Sequence, residues 1–283
     1  MTREGQLENG APRDTADSAA KLRGGATARW ILTYHEVEPE KSTYLYAVTS
    51  RQLDEQLKLV AERNRRQTAI TELTFDDGHI SNFEIARPVV ERHALKAVFF
   101  VTVSRVGAHP QTMSWSQLRT LVDAGHSVQS HGWSHKFLVH CSPTELCDEL
   151  GRSKAELEHR MGAPVNSISV PGGRWNARVL RAAADAGYQR VYTSEFWRKA
   201  EVRQGVLVTG RLMIRNDMSA AQIEKWLSTD VRSLQLMRAK NFAKNAVRLV
   251  VGDRLYHKLW CWLALSRLSR SDNEGEQALH HTK

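Results

Sequence analysis

The sequence predicts an α/β fold built on a mainly parallel β-sheet, and its pattern supports this in two ways. Short β-branched or aromatic runs recur along the chain, and stretches with helical periodicity separate them. Such alternation is typical of βα units, in which each helix connects two parallel strands. At 283 residues the chain is also long enough for one large α/β domain with a sizeable core.

Seven segments of the sequence have the pattern of β-strands. With about seven parallel strands, the sheet either closes into a (β/α) barrel or stays open and doubly wound. In both folds ligands bind at the carboxyl ends of the strands. The predicted strands are residues 30–34, 72–75, 97–103, 127–130, 167–170, 190–193 and 206–214.

Helices between these strands carry recognisable start and stop signals. Ser142, Pro143 and Glu145 have the order of an N-cap, an N1 proline and a capping-box acid. Glycines stand where helix ends favour a left-handed residue. The sequence therefore predicts helices within residues 114–126, 147–162 and 176–188.

The two ends of the chain differ in composition from the predicted domain, residues 28–231. Residues 1–27 are polar and lack the apolar run of a secretory signal, so we expect a disordered leader. Residues 232–270 are predicted to form a basic amphipathic helical tail, and residues 271–283 a disordered C-terminus. Three cysteines without a CxxC pair give neither a disulfide framework nor a metal knuckle, so a cytoplasmic location is expected.

The net charge of +9 comes largely from the tail. Charges interrupt the apolar residues of segment 240–270 too often for a spanning helix. This segment either contacts an anionic membrane at its inner, cytoplasmic face or packs on the barrel with its lysines solvated. Nucleic acid is not an expected partner, because no recognition helix or aromatic-basic motif accompanies the charge.

Polar residues follow four of the predicted strands at the point where each strand ends. His35 follows the first strand, Asp76 and Asp77 the second, His131 the fourth, and the glycine-rich residues 171–173 the fifth. Because the carboxyl ends of parallel strands meet at one edge, we expect these groups to converge.

His131 and His135 are spaced so that one helical turn would place both rings on the same side. Two imidazoles and one carboxylate make a three-ligand site that is open to water, as in hydrolytic zinc centres. A cation beside Asp76 and Asp77 would also offset the repulsion between their charges. Taken singly, an Asp-Asp-Gly turn and a solvated histidine pair are ordinary alternatives.

Three motifs together resemble the polysaccharide deacetylase family, also called the NodB-homology domain or carbohydrate esterase family 4. They are TFDDG (residues 74–78), SHGWSH (130–135) and SVPGGRW (169–175), and the resemblance covers residues 30–215. It implies a NodB-like distorted (β/α) barrel. It also implies metal-assisted hydrolysis of an N-acetyl group on a sugar.

By this resemblance Asp76 is the general base, and Asp77, His131 and His135 bind one divalent metal. Zinc is the expected ion, with cobalt or nickel as alternatives. The backbone N–H of Gly172 matches the position that stabilises the oxyanion.

Two departures from the family pattern concern the base and the acid. Ser169 stands where the third motif usually has an arginine, and Arg174 is the predicted replacement that orients Asp76. The later Leu-x-His motif is absent, and residues 210–217 (GRLMIRND) occupy its place. His35, in a sequence that resembles the N-terminal Tyr-His motif of circularly permuted members, is the predicted general acid.

Trp133 and Trp175 lie within the motifs and are predicted to stack against the sugar, although tryptophans more often pack in cores. The predicted activity is removal of an N-acetyl group from an amino sugar of a polysaccharide, oligosaccharide or lipid-linked glycan, with release of acetate. A related C–N hydrolase, of the deformylase or cyclic-amide type, and a catalytically silent glycan-binding protein are the alternatives.

Overall fold

The computed structural model of the chain describes residues 30–66, 70–196 and 200–228. The predicted leader, basic tail and C-terminus lie outside these residues. Within the described part, no helix is both long and apolar enough to span a membrane.

The described strands form one large sheet and one small parallel pair, β2 with β3. In the large sheet the order is β11-β1-β4-β5-β6-β7-β8-β10-β9, and every neighbouring pair is parallel except β9 with β10. The strands are β1 Trp30–Tyr34, β2 Glu36–Glu38, β3 Ala47–Thr49, β4 Thr71–Phe75, β5 Ala97–Val101, β6 Ser127–Ser130, β7 Ser167–Ser169, β8 Arg190–Thr193, β9 Glu201–Arg203, β10 Val206–Gly210 and β11 Leu212–Met213.

Helices connect the strands of the large sheet, as the alternating pattern predicts. The capping box at Ser142 and Glu145 begins α4, which ends at Gly162 with a φ of 63°. A π-helical segment, Asn82–Ala86, leads into α2. The α-helices are α1 Ser50–Arg66, α2 Arg87–Arg92, α3 Trp115–Asp123, α4 Pro143–Met161, α5 Ala177–Asp185 and α6 Ala220–Leu227.

The large sheet closes into a barrel through β10 and β11, which are one segment of chain. Its first half pairs with β8, with Leu207 opposite Arg190, and its second half pairs with β1, with Leu212 opposite Leu32. Only Arg211 separates the two halves. The structure therefore decides between the two predicted folds in favour of the distorted barrel of seven parallel strands.

Alternate residues of the strands face the helices and the barrel interior. Leu32 and Phe75 pack in the main core, together with Leu53 and Leu57 of α1. A separate small cluster contains Ile31, Phe100 and Tyr192. The barrel interior is also partly polar, because the buried Arg211 lies in it with its guanidinium 5.4 Å from the ring centre of Phe100.

Candidate active site

The candidate residues meet at the carboxyl ends of adjacent strands because the parallel pairing continues one step beyond each strand. The N–H of Asp76 donates to the carbonyl of Tyr34 at 2.9 Å, directly before His35. The N–H of His131 likewise donates to the carbonyl of Val101 at 2.9 Å. The residues after β1, β4 and β6 are thus brought to one edge of the barrel, as predicted.

Asp77, His131 and His135 form a compact cluster whose ligand atoms all lie within 4.8 Å of one another. Asp77 Oδ1 is 3.2 Å from His131 Nε2 and 3.1 Å from His135 Nε2. Ligands around a tetrahedral zinc ion are about 3.3 Å apart, given metal–ligand bonds of about 2.0–2.1 Å. The spacing of these atoms fits a single cation of that size.

The protonation pattern of the cluster also fits a cation. His131 Nδ1 lies 2.7 Å from the carbonyl oxygen of Ser169, which can only accept, so Nδ1 is the donor. In the neutral ring, Nε2 then presents a lone pair to Asp77 Oδ1, which is buried and has no hydrogen-bond donor. Without a cation these facing acceptors need a protonated imidazole. Although burial opposes it, the carboxylates of Asp76 and Asp77 raise the pKa of His131.

Two of the three cluster residues have left-handed backbone conformations, which non-glycine residues rarely adopt. The φ angles are 72° at Asp77 and 65° at His135. Such conformations cost about 1–3 kcal/mol each and persist where the surrounding structure imposes them. The prediction that a helical turn joins His131 to His135 is wrong, because this segment is an irregular loop. The ring centres of His131 and His135 nevertheless lie 5.0 Å apart.

Glu149 of α4 holds this histidine loop in place. Its Oε2 accepts the backbone N–H groups of Trp133 at 3.0 Å and Ser134 at 2.9 Å, and its Oε1 accepts the Ser134 hydroxyl. The Glu149 side chain is buried. Sequence reasoning missed this residue, although its position on the apolar face of α4, between Leu146 and Ser153, is an available signal.

Arg211 holds the carboxylate of Asp76 with two hydrogen bonds, from Nη1 to Oδ1 at 2.8 Å and from Nη2 to Oδ2 at 2.7 Å. Ser169 Oγ donates to Oδ2 at 2.9 Å and accepts from Arg211 Nη2 at 2.8 Å. Burial alone would raise the pKa of Asp76, but Arg211 above all the other charges lowers it below its usual value.

The arginine beside Asp76 is therefore Arg211, and the prediction of Arg174 is corrected. The guanidinium of Arg174 lies over the ring of Phe137, 4.3 Å from its centre. Ser169 stands where the family usually has its arginine, and its short side chain bridges Asp76 and Arg211. The signal for Arg211 is its position between β10 and β11, within the segment that lacks the expected histidine.

His35 and Gly172 occupy the same edge of the barrel. His35 is buried, its ring centre is 5.1 Å from that of Tyr46, and its Nδ1 has no hydrogen-bond partner among the described residues. Burial lowers the pKa of His35, more than Asp77 and Asp76 raise it. Gly172 has a φ of 63°, and a Cβ there would lie 2.5 Å from a ring carbon of Phe137, so the turn requires glycine.

Trp133 and Trp175 are half-buried and contact other protein groups. The guanidinium of Arg152 lies 3.6 Å from the ring centre of Trp133. The indole N–H of Trp175 donates to Glu195 at 3.3 Å. One face of Trp133 and the indole N–H of Trp175 thus contact protein groups, and the predicted stacking of these residues on a sugar stays a prediction.

A closed parallel barrel with a tethered carboxylate and an Asp-His-His cluster at its strand ends is an α/β-barrel arrangement that could support metal-assisted hydrolysis. Residues 63–191 match the family described as polysaccharide deacetylase. Over these residues the chain is similar to the polysaccharide deacetylase family.

A curated deacetylase is similar in sequence to part of this chain. The chain is 33% identical over 124 residues to the chitooligosaccharide deacetylase of Bradyrhizobium sp., covering 43% of this chain and 54% of that protein. The chain spans about half the length of the curated relatives it matches.

Two structures share the fold at low identity. The deacetylase PplD of Streptococcus pyogenes in complex with acetate has a TM-score of 0.60 and 22% identity, covering 69% of this chain and 96% of that one. IcaB from Ammonifex degensii has a TM-score of 0.60 and 23% identity, covering 71% and 97%. The circular permutation predicted from the N-terminal motif stays a prediction.

Proposed function

We propose that this protein is a metal-dependent hydrolase that removes an N-acetyl group from an amino sugar of a polysaccharide, oligosaccharide or lipid-linked glycan and releases acetate. The observation that carries the proposal is the buried Asp76–Arg211 pair beside the cluster of Asp77, His131 and His135. Metal-assisted amide hydrolysis uses an ionised base next to a metal-binding cluster. Asp76 and the three-residue cluster supply these two parts.

The cluster of Asp77, His131 and His135 would hold one divalent ion, with zinc as the first choice and cobalt or nickel as alternatives. When bound, such an ion supplies a Lewis acid that polarises the amide carbonyl and lowers the pKa of water. The carbonyl of Ser169 keeps the His131 ring in the tautomer that this role needs.

Asp76 is the proposed general base. A carboxylate has about four acceptor positions, and Arg211 and Ser169 occupy three of them on Asp76. One lone pair, on Oδ1, is left to accept the proton of the attacking water. Because Arg211 fixes both oxygens, the direction of that lone pair is set before substrate binds.

Gly172 and His35 have the remaining proposed roles. The backbone N–H of Gly172 donates to the oxyanion that forms when water adds to the carbonyl. His35 then protonates the departing amine, which would otherwise leave as an unstable anion. Since burial lowers the pKa of His35, the ring is neutral at rest, and the proton that it passes to the amine is the one that Asp76 takes from the attacking water.

Two alternatives follow from particular observations. The changed third motif, with Ser169 in place of arginine, keeps open a related C–N hydrolase that acts on formyl groups or small cyclic amides. The absent Leu-x-His motif keeps open a silent glycan-binding protein. The Asp76–Arg211 contact favours an active enzyme, because a silent protein has no need for a buried, ionised carboxylate.

Acetate release from an N-acetylglucosamine pentamer tests the proposal. We expect release by the metal-loaded enzyme, loss after chelation, and recovery when zinc or cobalt is added back. Asp76→Asn should abolish turnover, whereas Asp123→Asn, at an exposed position of α3, should not. Equal activity of Asp76→Asn and wild type would contradict the assignment of the base. Release of formate from an N-formyl sugar, without acetate release, would favour the first alternative.

The location and partners proposed for the whole protein rest on the sequence. We propose a cytoplasmic enzyme whose residues 240–270 contact an anionic membrane, which would bring lipid-linked substrates near. Co-sedimentation with vesicles that contain anionic lipid, compared between the full chain and a chain ending at residue 231, tests this contact.

A further inference from the structure

A short segment between β2 and β3, residues 42–46, is fixed beside the candidate active site. The side-chain amide of Asn216 donates to the carbonyls of Ser42 and Tyr44, both at 3.1 Å. The backbone N–H of Asn216 donates to the carbonyl of Leu45 at 2.9 Å. Asn216 is itself buried, so three hydrogen bonds from the interior hold this surface segment in one conformation.

The fixed segment presents an aromatic ring to solvent. Tyr44 is 41% exposed, and its ring packs edge-on against Tyr46 with 5.8 Å between the ring centres. The ring of Tyr46 in turn contacts His35. Tyr44 is therefore an exposed aromatic side chain that is connected through the ring of Tyr46 to His35, the proposed general acid.

Glu36 adds a carboxylate to the same place. It directly follows His35, is half-buried, and makes no side-chain hydrogen bond or ion pair with the residues that the structure describes. The backbone N–H of Glu36 donates to the carbonyl of Tyr46 at 3.5 Å, and Glu36 lies opposite Ala47 in the β2–β3 pair. Glu36 therefore lies beside the segment that carries Tyr44. In agreement, burial raises the pKa of the Tyr44 hydroxyl, and the charges of Asp77 and Glu36 raise it further.

We propose that Tyr44 and Glu36 form a sugar-binding subsite next to the candidate active site. A pyranose ring of the glycan stacks on Tyr44, and one of its hydroxyls donates to the carboxylate of Glu36. A pyranose has an apolar C–H face and a polar rim, and an exposed aromatic ring beside an unpaired acceptor matches both. The inference rests on the proposed function, since it supplies the part of the site that positions the substrate.

The subsite is tested first by binding, in an Asp76→Asn background that cannot turn over. Titration calorimetry with an N-acetylglucosamine pentamer should show about 3- to 10-fold weaker binding when Tyr44→Ala is added. Glu36→Gln should weaken binding, while Tyr44→Trp should retain it. Ile70→Ala is the matched control, because Ile70 is also an exposed apolar residue but lies at the opposite end of β4.

Two results would overturn the subsite. One is pentamer binding that is unaffected by Tyr44→Ala, and the other is no pentamer binding in the Asp76→Asn background. In the active enzyme, Tyr44→Ala should raise KM by the same 3- to 10-fold, more than it changes kcat. Acetate release with an unchanged KM would refute the subsite and leave the proposed function standing. Tyr44-dependent binding without acetate release by wild type would refute the function and leave the subsite standing.

Discussion

Replacement of Arg211 by methionine keeps the length of the side chain and removes its charge. The guanidinium makes five hydrogen bonds, three of them to Asp76 and Ser169. Asp76 is only 3% exposed, so the variant would leave a buried charge without its partner. Breaking such a pair costs about 3–5 kcal/mol. A domain of ordinary stability, about 5–15 kcal/mol, remains folded but is measurably weakened.

The loss of unfolding free energy in Arg211→Met should depend on pH. In the wild type Arg211 lowers the pKa of Asp76 in the folded state. Ionised Asp76 therefore contributes to stability above the pKa that it has in the unfolded chain, and this contribution is lost as the pH falls through the folded pKa. In Arg211→Met the largest charge that opposes burial is gone and only His131 and His35 still lower the pKa of Asp76, so we expect burial to raise it above the unfolded value. The variant should therefore be weakest near pH 7, and its deficit should shrink toward pH 4.

Urea unfolding of the metal-free protein between pH 4 and 8 measures this effect. Arg174→Met is the control, and it should cost about 1 kcal/mol or less, because it removes contacts of a half-buried side chain, among them the cation–π contact with Phe137. Arg211→Met should also move the acidic limb of the kcat/KM profile to higher pH. Equal losses for the two variants at pH 7, or an unchanged profile, would refute the role given to Arg211.

Three further predictions concern the loop, the turn and the acid. Glu149→Gln should weaken Co²⁺ binding about 10- to 100-fold in an absorption titration, whereas Glu156→Gln on the same helix should not; equal affinities would contradict the loop-holding role. Gly172→Ala should cost about 1–3 kcal/mol in urea unfolding, because it adds a Cβ at a φ of 63° and within 2.5 Å of a phenylalanine ring, whereas Gly151→Ala has open space and should stabilise its helix. His35→Gln should lower kcat on an N-acetyl amide about 10²- to 10⁴-fold and affect a p-nitrophenyl ester far less, since that leaving group needs no proton; equal losses would contradict the acid role.

Local signals in the sequence were sufficient for most of the fold. The capping box at Ser142 and the glycine at residue 162 define α4, and the β-branched runs define the strands of the barrel. The sequence does not decide whether the sheet closes, because closure depends on the partners of residues 206–213. That segment changes partner at Arg211, and no local pattern encodes a contact between distant strands.

The site residues that the sequence predicted have local signals, whereas those that it missed depend on contacts between distant segments. Asp77, His131 and His135 follow strand ends, so the parallel register brings them together. Arg211 lies 135 residues from Asp76 along the chain, and only barrel closure brings the two together. Glu149 reaches the histidine loop from a helix, where a sequence pattern predicts only which face is buried.

The central claim is that the chain binds one catalytic ion through Asp77, His131 and His135. Titration of metal-free protein with Zn²⁺, with bound metal and acetate release measured in the same samples, tests it most directly. We predict one ion per chain, acetate release that rises in proportion to bound metal, and loss of both in His135→Ala. Acetate release by the metal-free protein, or undiminished zinc affinity in His135→Ala, would contradict it.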